Sequence, residues 1–359
     1  MTARAMEGAS LTELVRMAKP LCQAAQRECP RDGPGRPPDF EDWQMAVLIM
    51  VAILHRRKSK SAQYRFLSGR RTELIGWLGL ERWPGRTTYF DRYHQAYRLF
   101  TAAIRLQGLK ALDEGVADAE TVAVDKSLMV ARGPLWHRKD RQADRIPTGL
   151  HGVDRDSTWA FSKHHGWVQG YGYEVVTTAA PDGTVVPLLA SADTASVSEQ
   201  VSFDAKIGSL PEQTRNVLAD SGYDSNHYGD RIEWDEQGQP TGRHFLCPAN
   251  PRNSRASVSA NPSGMRPVPP AARQRRVHRL TFLASRRGRR LYRRRAQTIE
   301  PFNDWFKNLF GLDQRVWHRG LSNNRTQILA AVFDYQLLLR YNRRHGRHNG
   351  QIQWILDTL

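Results

Sequence analysis

With 359 residues, the chain is long enough for one large core and a smaller domain. Lysine plus arginine exceed aspartate plus glutamate by 53 − 36 = 17, a balance that favours a polyanion such as nucleic acid and that basic ribosomal or membrane-surface proteins share. Three cysteines without CxxC spacing (Cys22, Cys29, Cys247), no signal-peptide core, and no apolar run longer than residues 45–54 argue against a disulfide framework, a zinc site, secretion and a membrane span.

Leu11, Leu14, Val15, Ala18 and Leu21 recur at helical spacing over residues 10–29. A Pro/Gly-rich stretch over residues 30–38 breaks the chain, and Asp39 is placed to cap a helix holding residues 45–54. A basic segment, 55–60, leads to an amphipathic piece with Tyr64, Phe66 and Leu67, and then to an apolar one over 74–80. Arg82-Trp83-Pro84-Gly85 reads as a turn, after which Arg86-Thr87-Thr88 opens a helix carrying Tyr89, Tyr93, Tyr97 and Phe100. Such a run of helices points to an all-α DNA-binding domain over 1–112, with Arg86, Thr88, Tyr89 and Arg92 in the first turns of the reading helix. The competing reading is a helical bundle that its basic residues merely solvate. An acidic connector, residues 112–121, marks the boundary with a second domain, 113–359.

The second domain opens on Thr121-Val122-Ala123-Val124-Asp125, where β-branched residues favour a buried strand that delivers a carboxylate at its end. A polar loop over 132–149, with Trp136-His137-Arg138-Lys139, suits a phosphate backbone. Residues 158–161 and 171–178 read as strands, and Pro181-Asp182-Gly183-Thr184 as the turn into a further strand at 185–189. A helix around 198–210 precedes Val217-Leu218-Ala219-Asp220, which delivers a second aspartate into a Ser221-Gly222 turn. An Asp in such a place is by itself more often a turn or cap residue than a catalytic one. Residues 248–270 look irregular, and an Arg-rich run reaches Arg293-Arg294-Arg295 before a helix that Thr298 can cap, with Pro301 in its first turn. Ile299, Phe302, Phe306, Leu309 and Phe310 form its apolar stripe; Glu300, Asp304 and Lys307 share the opposite face. A long structural helix over 322–341 follows. Two strand-end aspartates and a helix glutamate are an oxygen-only donor set, suited to a hard divalent ion.

The order Asp125, Asp220, Glu300 resembles the catalytic triad of bacterial insertion-sequence DDE transposases, the cut-and-paste kind with a ribonuclease-H-like core. The segment Asp220-Ser221-Gly222-Tyr223-Asp224 is similar to that family's, and Tyr292, Arg295, Glu300 and Lys307 resemble its Tyr-Arg-Glu-Lys signature. One departure stands out: the family has three residues between Arg and Glu, whereas here there are four, with Ala296 in the expected place. Over about residues 120–345 the resemblance implies a mixed α/β, ribonuclease-H-like catalytic core whose first and fourth strands lie side by side, bringing Asp125 next to Asp220. It implies two Mg²⁺ ions (Mn²⁺ as a substitute), with Asp125 bridging both, Asp220 holding one and Glu300 the other. It also implies double-stranded DNA as partner (terminal inverted repeats and target), a homodimer in the synaptic complex, no membrane, and a nucleoid-associated cytoplasmic location. Lys307, Arg295 and Arg294 are then expected at phosphates, and Tyr292 against the backbone or a displaced base. The extra residue predicts that the helix stops short of Gln297, so that a looser chain lets Arg295 or Arg294 swing in. A nuclease of the same fold that does not join strands, and a non-catalytic DNA-binding descendant, are the alternatives.

Overall fold

The computed structural model of the protein describes residues 8–30, 38–162, 165–250, 270–347 and 350–359. The N-terminal part is helical: α1 (Leu11–Glu28), α2 (Asp42–Leu54), α3 (Lys60–Gly69), α4 (Arg71–Leu78), α5 (Arg86–Gln95) and α6 (Tyr97–Asp113). The Ser10 hydroxyl starts α1 by accepting the Glu13 N–H, and the Leu11, Leu14, Val15, Ala18 stripe is buried. The expected Asp39 cap is not used. α2 starts behind Glu41, whose backbone N–H donates to the Gln44 side chain at 2.8 Å, while Asp39 pairs with Arg82. Every residue from Met45 to Leu54 is buried. The helix expected to carry Tyr89, Tyr93, Tyr97 and Phe100 is two helices, α5 and α6, meeting at Ala96. The Pro/Gly-rich break falls mostly on residues 31–37, outside the described residues.

After β1 (Thr121–Val130) come a short α7 (Arg138–Gln142), β2 (Thr158–Ser162), β3 (Gly166–Ala179), β4 (Val185–Thr194), α8 (Glu199–Ile207), β5 (Asn216–Leu218), α9 (Asn226–Glu233) and β6 (His244–Leu246). The strands form one mixed sheet in the order β2-β3-β1-β5-β6, with β4 also paired to β3. β1 runs antiparallel to β3 and parallel to β5, which in turn runs parallel to β6. This is the ribonuclease-H-like sheet that the resemblance implied, except that β1's neighbour is the fifth strand in chain order and not the fourth. α8 and α11 (Arg286–Leu309) pack against β1 and β3, and α6 and α12 (Leu321–Arg344) against β4. Covered in this way, Val122, Ala123 and Val124 are fully buried, as a continuous apolar strand requires. Apolar side chains of α1, α2, α6, α12 and the sheet belong to one continuous core.

The Arg-rich region departs most from expectation. Residues 251–269 lie outside the described residues, but from Pro270 the chain is helical: α10 (Pro270–Ala284) leads straight into α11. The two cross so closely that a Cβ on Gly288 would stand 2.0 Å from the Phe282 carbonyl oxygen, a contact only glycine permits. α11 begins behind Ser285, whose hydroxyl accepts the Gly288 N–H at 3.0 Å, and runs unbroken to Leu309. Thr298 therefore caps nothing: it is buried in mid-helix, and its hydroxyl donates back to the Arg294 carbonyl. Pro301 also lies in mid-helix and leaves the Gln297 carbonyl without its usual N–H. The helix persists because Leu291 and Tyr292 carry the stripe of Ile299, Phe302 and Phe306 upstream and pack on the same core. A short α13 (Gln353–Thr358) ends the chain as described. Among the described residues, no helix is long and apolar enough to cross a membrane.

Candidate active site

Parallel pairing of β1 and β5 sets Ala123 opposite Leu218, so two residues further on Asp125 and Asp220 stand side by side. Asp220 lies just past the end of β5, and Asp125 in the middle of β1 and not at its end as the sequence suggested, because β1 runs on to Val130 against β3. Asp220 caps the 3₁₀ turn Ser221–Tyr223, its Oδ1 accepting the Gly222 N–H at 2.8 Å. That turn is anchored from below: the Tyr223 hydroxyl donates to Glu174 Oε2 at 2.8 Å, and Lys206 Nζ donates to Glu174 Oε1 at 2.7 Å. All three side chains are buried, and each charge has its partner. Asp125 is largely buried; burial pushes its carboxyl up to about 6, the Arg295 guanidinium opposes this, and the charge of Asp220 adds to it.

α11 crosses over this pair of aspartates, packed on β1 and β5. Arg295 donates from Nη2 to Asp125 Oδ1 at 3.1 Å and from Nη1 to Glu300 Oε1 at 3.4 Å. The expected local break is absent, yet Arg295 reaches the carboxylates, because its long stem and forked head absorb the offset of one residue. Its charge is spent on carboxylates here, which differs from the phosphate contact expected of it. Glu300 lies at the rim with its side chain 61% exposed. Lys307 is half-buried and donates to the Leu128 carbonyl at 3.1 Å; burial lowers its pKa while nearby Asp125 raises it. Tyr292 is half-buried near Arg295, and burial pushes its phenol up to about 12. Arg294 is exposed and donates to Thr121 Oγ1 at 3.3 Å.

Two neighbours escaped the sequence reading. Asn303, one turn after Glu300, donates from Nδ2 to Asp125 Oδ2 at 3.1 Å. Glu199, at the start of α8, lies beside Asp220: a Cβ on Gly222 would stand 2.0 Å from Glu199 Oε2 and 2.9 Å from Asp220 Oδ1. Burial, then the charges of Asp220 and Asp125, push the Glu199 carboxyl up to about 7. The i, i+3 spacing from Glu300 was a legible signal for Asn303; nothing in the sequence signalled Glu199.

The rest of the Arg-rich run divides in two. Arg275, Arg276 and Arg279 on α10 pair with Asp230, Asp224 and Glu233 at 2.6–3.4 Å, so they hold α9 in place. Arg286, Arg289 and Arg293 on α11 are exposed and, among the described residues, make no ion pair. At 3.6 residues per turn they fall within about 40° of the direction of Glu300. In the helical region, Arg86 is exposed over the Phe90 ring and donates to Ser61 Oγ at 3.0 Å. Arg92 pairs with Asp42 at 3.3 Å. Tyr89 is fully buried against Gln63, which removes it from any DNA-reading surface.

Asp125 and Asp220 fit a hard divalent cation: both donors are oxygen, they are adjacent, and their repulsion is what such an ion offsets. Glu300 does not join them here, and among the described residues no group of three His, Cys, Asp or Glu side chains is gathered to hold a metal. A family model described as a transposase DDE domain matches residues 116–335, and no curated protein and no solved structure matches the chain.

Proposed function

The chain belongs to the transposases with this DDE domain, and from that premise we propose that it binds the ends of an insertion sequence, cleaves DNA with divalent metal, and transfers the freed strand to a target. One observation supports the reading: Asp125 and Asp220, 220 − 125 = 95 positions apart, stand side by side on adjacent parallel strands, Asp125 within β1 and Asp220 just past β5, with the helix of Glu300 laid across them. Asp125, Asp220 and Glu300 would hold the ions, Mg²⁺ or Mn²⁺. Bound there, the ions supply a polarised nucleophile, water or a 3′-hydroxyl, and stabilise the leaving oxygen. Arg295 now neutralises Asp125 and Glu300; on engagement its guanidinium turns to the scissile phosphate and frees both carboxylates. Arg286, Arg289 and Arg293 line the approach and bind the phosphates next to it, while Lys307 braces β1 against α11. The helical region 1–112 serves end recognition, with exposed Arg86 as its foremost contact and Arg92 released from Asp42. Double-stranded DNA is the partner, and pairing of two ends calls for a homodimer.

The test uses the full-length protein, its own element ends and Mg²⁺. Asp125→Ala, Asp220→Ala and Glu300→Ala should each abolish cleavage and leave end binding intact. Cleavage near the wild-type rate by any one of them removes that residue from the site. Cleavage without joined products in a strand-transfer assay would favour the nuclease reading instead.

A further inference from the structure

The two oxygens of Asp125 are held by different partners. Oδ1 faces Arg295 at 3.1 Å, whereas Oδ2 accepts the Asn303 amide at 3.1 Å. Asn303 is itself tied from behind: its Oδ1 accepts the Tyr173 hydroxyl at 2.8 Å. Tyr173 stands on β3 opposite Ser127, is buried, and packs edge-on against Phe306 with ring centroids 5.2 Å apart. A phenol keeps its proton at neutral pH, so it donates to the amide oxygen and turns the amide nitrogen toward the carboxylate. A flipped amide would set oxygen against oxygen at Asp125, so the carboxylate fixes the amide with its oxygen toward the Tyr173 hydroxyl. The chain of bonds thus runs one way, from Tyr173 through Asn303 to Asp125.

We propose that Asn303 is a positioning residue of the active site: oriented by Tyr173, it fixes the Asp125 carboxylate and occupies one lone pair of Oδ2, leaving Oδ1 and the outer lone pair to a divalent ion. The inference rests on the metal-dependent transposase reading and adds to it the residues that aim Asp125, which would hold an ion. A donor of this kind restricts rotation of the carboxylate, so an ion binds without first paying to order its ligand. Simple glue between α11 and β3 is the competing explanation. Glue would lower the melting temperature and leave the affinity for Mn²⁺ unchanged.

The experiment reads Mn²⁺ binding to the full-length protein by the spin-resonance signal of the free ion, with thermal melting in chelator to follow folding. Asn303→Leu should weaken binding by about tenfold to a hundredfold, and Tyr173→Phe by about threefold or more. The double variant should bind as Asn303→Leu does, because Tyr173 acts only through the amide. Tyr173→Phe keeps the ring and its packing, so it carries the test alone if Asn303→Leu fails to fold. Affinity unchanged within about twofold in Tyr173→Phe, or losses that multiply in the double variant, overturn the proposal. Asp125→Ala separates the two layers. If wild type and Asp125→Ala bind Mn²⁺ alike, the active-site reading falls and this inference with it; if Asp125→Ala loses the ion and Asn303→Leu keeps it, only this inference falls.

Discussion

Asp334 shows at the scale of one residue how far the fold departs from what its side chains would choose in water. It lies in the middle of α12, fully buried, and neither carboxylate oxygen has a hydrogen-bond partner among the described residues. Burial pushes its pKa well above the ordinary carboxylate range, so the folded chain keeps the proton that the unfolded chain releases near pH 4. The sign follows from linkage. The folded pKa is raised, so this group's contribution to stability is fully present below the unfolded pKa and is lost as pH rises toward the folded one. Asp334→Asn should remove that slope. Urea denaturation at pH 5, 6 and 7 should show wild type losing stability faster than Asp334→Asn. Parallel pH dependences would mean that the buried carboxyl has found a compensating charge. The same physics acts at Asp125, which lies in mid-strand in β1 and largely buried beside a second carboxylate, that of Asp220 in the turn after β5.

The element that most needs its three-dimensional context is α11. Its apolar stripe below Glu300 is legible as helical spacing, but the sequence points to a start at Thr298, because a threonine followed by a nearby proline imitates an N-terminus. The packing of Leu291 and Tyr292 on the core outweighs that local signal. With the helix continuous, its arginines acquire fixed directions. Arg286, Arg289 and Arg293 face the same way as Glu300, while the three arginines of α10 are consumed by Asp224, Asp230 and Glu233. The two sets should therefore behave differently. Replacing Arg286, Arg289 and Arg293 by Ala should reduce the slope of log affinity against log salt by about two to three for end DNA, at nearly unchanged thermal stability. Replacing Arg275, Arg276 and Arg279 should lower the melting temperature and leave the salt slope almost as it was. A slope that moves only with the α10 set would reverse the assignment.

Taken whole, the molecule has one core where the sequence shows a helical region followed by a mixed one. α6 approaches β4 so closely that a Cβ on Gly108 would lie 2.9 Å from the Leu188 Cα, and α12 packs on both α6 and β4. Arg340 of α12 donates twice to Glu114, in the acidic connector, at 2.6 Å. A fragment starting at residue 116 keeps the whole family match but uncovers β4 and α12. We expect that fragment to bind a hydrophobic dye and melt without a cooperative transition, whereas the full chain melts cooperatively. A sharp, two-state melt of the fragment would show that the helical region adds no essential part of the core.

What the sequence determined by itself was local or shared by many chains: the strand ahead of Asp125, the turn after Asp220, the helical face carrying Glu300 and Lys307, and the transposase family. Each rests on side-chain period, turn chemistry or motif order, which act over a few residues at a time. Tertiary structure alone decided which distant residues meet. It set the parallel ladder by which Asp125 meets Asp220, an adjacency that only the family resemblance implied, put Arg295 between Asp125 and Glu300, and brought Tyr173, Asn303 and Glu199 to the same place. It also divided one arginine-rich run into cations that brace the fold and cations that face outward. Ion pairing and burial depend on what lies across the gap between elements, and a linear period carries no record of that.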